Sequence, residues 1–214
     1  MDDVKHGQPE LNIRGGVSRP SALVDRSDFP ELASRERVLS VLRARDAETR
    51  EQELKRLEEA DLAIIRAIAL EGAAANAEPT VRYNAISALV QRSAAENLNL
   101  LTDLAEFGED FYVRGHAVLA LGAAGLNMAL PMIASQLLAE ERFEQLAAQR
   151  AIGLVASSNS LESVRAYASR IQEPKLRPAF ERTLDQLVEA QKKPREGKSR
   201  VSPERSTLSA ASSP

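Results

Sequence analysis

The chain has 214 residues, 43% of them hydrophobic but only 4% aromatic, with no Trp, no Cys and a formal net charge of −3. Its length allows one ordinary domain with tails. The missing cysteines exclude disulfides, thiolate metal sites and cysteine nucleophiles, and the charge gives no electrostatic case for nucleic acid or an anionic membrane.

A core so poor in aromatics has to be filled with Leu, Ile, Val and Ala, which suits closely packed helices. An all-α fold is therefore expected. The longest apolar run, Leu62 to Leu70, is interrupted by Arg66 and falls short of the roughly 18 residues needed to span a bilayer. The first residues lack a basic start and an apolar segment, so no secretory signal is expected and the cytoplasm is the expected compartment.

Residues 1–33 carry Gly7, Pro9, Gly15, Gly16, Pro20 and Pro30 with apolar residues scattered singly, and read as a flexible N-terminal arm. Leu11-Asn12-Ile13 and Ala22-Leu23-Val24 are its only apolar clusters that could dock on something. From Ser34 the character changes, with Val38, Leu39, Val41 and Leu42 forming an apolar helix face. Ala47 to Ala60 reads as a solvated helix marked by Leu54 and Leu57, with Glu51/Lys55 one turn apart. Asp61 is expected to cap a helix whose Leu62, Ile65 and Ala69 share a face, and Gly72 to Asn76 to end it.

The stretch from Glu78 to Gly125 says nearly the same thing twice. Val81, Arg82, Ala85 and Leu89 recur as Val113, Arg114, Ala117 and Leu121 at an offset of 32. The second helices agree, because Leu98, Leu101 and Ala105 recur as Leu130, Ile133 and Leu137 at the same offset. A fixed offset of this size marks a stacked repeat array.

A weaker third copy aligns Ala147 to Val155 under Val113 to Leu121 at an offset of 34, with Ala148 in place of the arginine. Two extra loop residues would explain the shift. Val164, Tyr167 and Ile171 continue its second helix, and Leu176, Arg177, Phe180 and Leu184 open a partial fourth unit. Residues 191–214 hold 6 Lys+Arg against 2 Glu and read as a disordered, basic, Ser/Pro-rich tail. The body left between the tails carries 18 basic and 23 acidic residues, a net −5.

Pro79-Thr80-Val81-Arg82-Tyr83-Asn84-Ala85 and Tyr112-Val113-Arg114-Gly115-His116-Ala117 resemble HEAT-like repeats of the short kind found in phycobilin lyases and many bacterial solenoids. The resemblance implies an α-solenoid of about four to five antiparallel helix pairs over residues 34–190, with disordered termini and second helices lining a concave face. Physics agrees. A two-helix unit cannot hide its apolar stripe alone, and small residues such as Ala85 and Ala117 let neighbours approach closely. Arg82 and Arg114 then recur at one height along the stack and are expected to bond acceptors at the turns, such as Glu78 or Asp110.

The sequence offers no catalytic constellation. Of two histidines, His6 lies in the arm and His116 in a repeat helix at a unit boundary, with neither H-x-x-x-H nor H-E spacing for a metal. There is no nucleophile elbow, phosphate loop or dinucleotide fingerprint. Neither a cofactor nor a metal is expected.

The function expected is a non-catalytic scaffold that binds another protein along the concave face. Its candidate residues there are Asn99, Asp103 and Glu106, then Pro131, Ser135 and Leu138, then Arg165, Ser169 and Gln172, grading from acidic through apolar to basic. The alternative is a lyase-type enzyme or subunit acting on a cofactor-bearing protein, which rests on the repeat type alone.

Overall fold

The computed structural model describes residues 30–71 and 78–192; residues 1–29 of the expected arm, Gly72 to Asn76 and residues 193–214 of the expected tail lie outside them, while 30–33 and 191–192 are helical. All regular structure among the described residues is helical. The α-helices are α1 (Pro30–Arg43), α2 (Ala47–Leu54), α3 (Glu59–Leu70), α4 (Pro79–Ser93), α5 (Leu98–Phe107), α6 (Phe111–Ala123), α7 (Leu130–Ser135), α8 (Arg142–Ser158), α9 (Leu161–Ala168) and α10 (Leu176–Lys192). Single 3-10 turns at Asn127–Ala129 and Gln136–Leu138 flank α7.

Helices α4, α6 and α8 pack side by side as the first helices of successive units, with α5, α7 and α9 as their second helices. A further pair, α1 and α3, precedes them, and the short α2 is inserted between its members and rests on α4. At the other end α10 closes the stack against α8, α9, α7 and the Gln136–Leu138 turn. The result is the all-helical repeat stack expected from the spacing. Val81, Ala85 and Leu89 are buried, and so are Val113, Ala117 and Leu121 in the next unit.

Local chemistry sets the boundaries. Helix α1 begins at Pro30, before Ser34, because proline fits the first turn, where its missing N–H costs nothing. The helix expected over Ala47 to Ala60 ends at Leu54. The guanidinium of Arg92 on α4 donates to the carbonyls of Leu54, Lys55 and Leu57, which satisfies that early end, and Leu54 and Leu57 are core rather than marks on a wet face.

Asp61 caps α3 as the third helical residue of a capping box rather than as the N-cap residue, which is Glu58. It sits in the first turn, accepts from the backbone N–H of the N-cap residue Glu58 at 2.9 Å, and takes Arg37 of α1 at 2.9 Å while fully buried. One carboxylate thus closes a helix end and ties the first pair together.

The third unit departs from its sequence register in a specific way. Arg114 donates to the carbonyl of Gly108, six residues back, at 2.9 Å, and Gln145 donates to that of Ala139, also six residues back, at 2.8 Å. Gln145, not Ala148, therefore does the arginine's work, and α8 starts at an offset of 31. The added residues lie within α8, which has 17 residues against 13 in α6, so the insertion lengthens a helix rather than a loop.

Glycines permit the closest approach. A Cβ at Gly122 would lie 2.5 Å from the Cα of Ala151, so α6 and α8 touch backbone to backbone there. Gly125, at φ 66, turns the chain out of α6 in the left-handed region.

Candidate protein-binding surface

Two systems of polar and aromatic side chains lie along the stack, one turned inward and one outward. The inward system is an arginine ladder. Arg82 donates to the carbonyls of Ala69 at 3.0 Å and Leu70 at 3.5 Å at the end of α3, and pairs with Glu109 at the entry to α6. Arg114 repeats this one unit on, donating to Gly108 and to Glu144 of α8 at 2.6 Å. Each arginine therefore joins the preceding second helix to the following unit.

The carboxylates are not Glu78 and Asp110, as the turns suggested. Glu78 pairs with Arg43 of α1 at 3.1 Å, and Asp110 caps α6 by accepting from the Val113 N–H at 2.8 Å. The hydrogen bond and charge of Glu144 raise the Arg114 pKa against the opposing effect of burial.

His116 belongs to an aromatic cluster on the first helices. Its ring stacks on Tyr83 at 4.4 Å and lies 5.6 Å from Phe143, which in turn is 5.1 Å from Tyr112. Gly115 leaves room for this, since a Cβ there would meet the Phe143 ring at 2.4 Å. Burial lowers the His116 pKa below its ordinary value, against an opposing pull from Asp110.

The sign follows directly. The folded state favours neutral His116, so this contribution is full above the unfolded pKa of about 6.5 and is lost as pH falls from there through the lower folded value. His116 is the only histidine among the described residues, so His116→Gln should flatten the fall in urea midpoint between pH 7.5 and 5.5. Equal slopes in parent and variant would refute this assignment.

The outward system is the exposed side of the second helices. Helix α5 buries Leu101, Leu104 and Ala105 and exposes Asn99, Asp103 and Glu106. In the next unit Leu130, Ile133 and Ala134 are buried while Pro131 and Ser135 are exposed. Leu138 is also exposed, but it lies in the 3-10 turn after α7. In the third unit Arg165 is exposed on α9, which ends at Ala168.

Ser169 is therefore a C-cap and Gln172 a connection residue, both beyond the helix whose periodicity placed them. They line a cleft of about 720 Å³ with Glu173, Arg177 and Glu181, and Arg165 borders the adjoining hollow. All nine candidate positions are exposed, though they form a second-helix face continued by a cleft rather than three matched helix faces. The side chains of Asp103, Glu106 and Arg165 make no hydrogen bond or ion pair with a described residue, whereas the ladder arginines are fully engaged.

Comparison with protein families matches residues 67–153 to HEAT repeats, a span running from α3 into α8 and covering both arginine-bearing units. Residues 67–153 form a HEAT-like repeat array. No curated protein matches the chain. The stacked pairs, the backbone contact at Gly122 and the recurring arginine are thus the parts that build its HEAT-like helical stack. Among the described residues no group of three His, Cys, Asp or Glu side chains is placed to hold a metal, and no helix is long and apolar enough to cross a membrane.

Proposed function

We propose that this HEAT-like chain is a non-catalytic adaptor that seats a segment of another protein along its second-helix face, from α5 to the cleft beside α10. One observation carries the reading: the side chains of Asp103 and Glu106 at one end and of Arg165 at the other lack partners among the described residues, with apolar Leu138 between them. Glu106 also lies in the last turn of α5, where the helix dipole disfavours negative charge by roughly 0.3–1 kcal/mol. Placing charge against local stability is expected where it serves a partner. Opposite charges at the two ends suit a segment of defined polarity, fixing its direction more than its affinity.

The adaptor needs neither cofactor nor metal and works in the cytoplasm. Its test is charge reversal at both ends, Asp103→Lys with Arg165→Glu, in the full chain. Partner capture should fall while the melting temperature stays within a few degrees, because all the altered atoms are solvated. Undiminished capture would rule out this face.

A further inference from the structure

A second surface lies along the edge where one unit turns into the next. Leu70, Phe107 and Leu138 end three successive second-helix segments and are 55%, 74% and 44% exposed. The arginine ladder fixes their equivalence, since Arg82 donates to the carbonyls of Ala69 and Leu70 and Arg114 to that of Gly108, the residue after Phe107. Tyr112, 46% exposed, follows Phe107 around the Gly108–Asp110 turn. Among the described residues Phe107 is the most exposed large apolar side chain, in a protein with few aromatics, and the core does not use it. Exposed Phe and Tyr in a row are what protein interfaces concentrate.

Charge identifies what covers the row. From Asp103 to Glu144 the chain carries seven carboxylates against two arginines, a net −5. Glu109, Asp110 and Glu144 are engaged by Arg82, the α6 N-terminus and Arg114. Glu106 beside Phe107, and Glu140 and Glu141 just after Leu138, are exposed, and their side chains make no hydrogen bond or ion pair with a described residue. Three exposed carboxylates therefore border an apolar row, Glu141 of them also feeling the charge of Arg114.

Packed helices lie about 8–10 Å apart, and seven residues of α-helix rise about 10.5 Å, so apolar anchors at i and i+7 match successive positions of the row. We infer that the Leu70–Phe107–Leu138 edge docks a basic amphipathic helix of a partner protein, with Leu- or Phe-like anchors at i and i+7 and Lys or Arg between them. This surface shares Glu106 and Leu138 with the second-helix face proposed above but uses neither Asp103 nor Arg165, and turns on Phe107 and Leu70 instead.

The test is selection of a displayed random-peptide library on the full chain, followed by anisotropy measurements with the enriched peptides. The expected peptides carry net positive charge and apolar residues at i and i+7. Phe107→Ser with Leu138→Ser should weaken them at least tenfold, and Glu106→Gln with Glu140→Gln and Glu141→Gln should flatten their salt dependence. Arg165→Glu should leave their affinity within about twofold.

No enrichment, acidic or neutral peptides, indifference to the Phe107 and Leu138 changes, or loss on Arg165→Glu would each overturn the inference. So would a dimer in sedimentation that Phe107→Ser dissociates, which gives the row to a second copy. A tenfold gain in peptide affinity on replacing Leu11, Ile13, Leu23 and Val24 with Ser in the full chain would give it to the chain's own first residues.

Discussion

Replacing Arg114 with alanine is expected to cost about 3–5 kcal/mol of folding stability, which would leave a protein of this size marginal. The reason lies in the partner. The Glu144 side chain is only 4% exposed, and Arg114 supplies its counter-charge at 2.6 Å. Alanine leaves a buried carboxylate with no cation to face, and it strands the Gly108 carbonyl as well.

Arg82→Ala provides the contrast. Glu109 is 45% exposed and is resolvated when its partner goes, so the loss there reduces to the bonds with Ala69 and Leu70, about 1–2 kcal/mol. Urea denaturation of the two variants decides the matter through their order. If Arg82→Ala proves the more damaging, burial of the acceptor is not what sets the cost.

Gly122→Val is expected to be the other severe change, at about 1–3 kcal/mol from overpacking. A Cβ there would lie 2.5 Å from the Cα and Cβ of Ala151 and 2.9 Å from its carbonyl oxygen. Backbone cannot swing aside as a side chain can, so α6 and α8 must separate along the interface that joins the central units. Gly153→Ala serves as its control. The nearest atom to a Cβ at Gly153 is the end of Leu187 at 3.0 Å, which can give way, and alanine gains up to about 1 kcal/mol in helix propensity. A thermal melt should show Gly153→Ala near the parent and Gly122→Val well below it; a Gly122→Val melt matching the parent would disprove the close contact.

The repeat itself was legible because each unit must bury the same positions. Val81 and Val113, Ala85 and Ala117, and Leu89 and Leu121 announce their equivalence at one offset and are all core. The ladder's carboxylates were not legible. Glu109 lies 27 residues after Arg82 and Glu144 lies 30 after Arg114, so no single spacing marks them.

The third unit was misread because glutamine replaces arginine as the donor and the inserted residues continue a helix, where periodicity runs on without a break. That continuity also carried Ser169 and Gln172 onto a face they do not share, since nothing apolar in the sequence signals that α9 stops at Ala168. The aromatic cluster went unseen because Tyr83, Tyr112, His116 and Phe143 have no common period and meet only once the helices are stacked.

Among the described residues, no side-chain hydrogen bond or ion pair joins α10 to the rest of the stack, which it meets through Phe180, Leu184 and their apolar neighbours. Directional bonds resist sliding and greasy contacts do not. The closing helix is held by apolar packing, in contrast to the arginine-tied middle, at the place where Ser169 and Gln172 border the cleft.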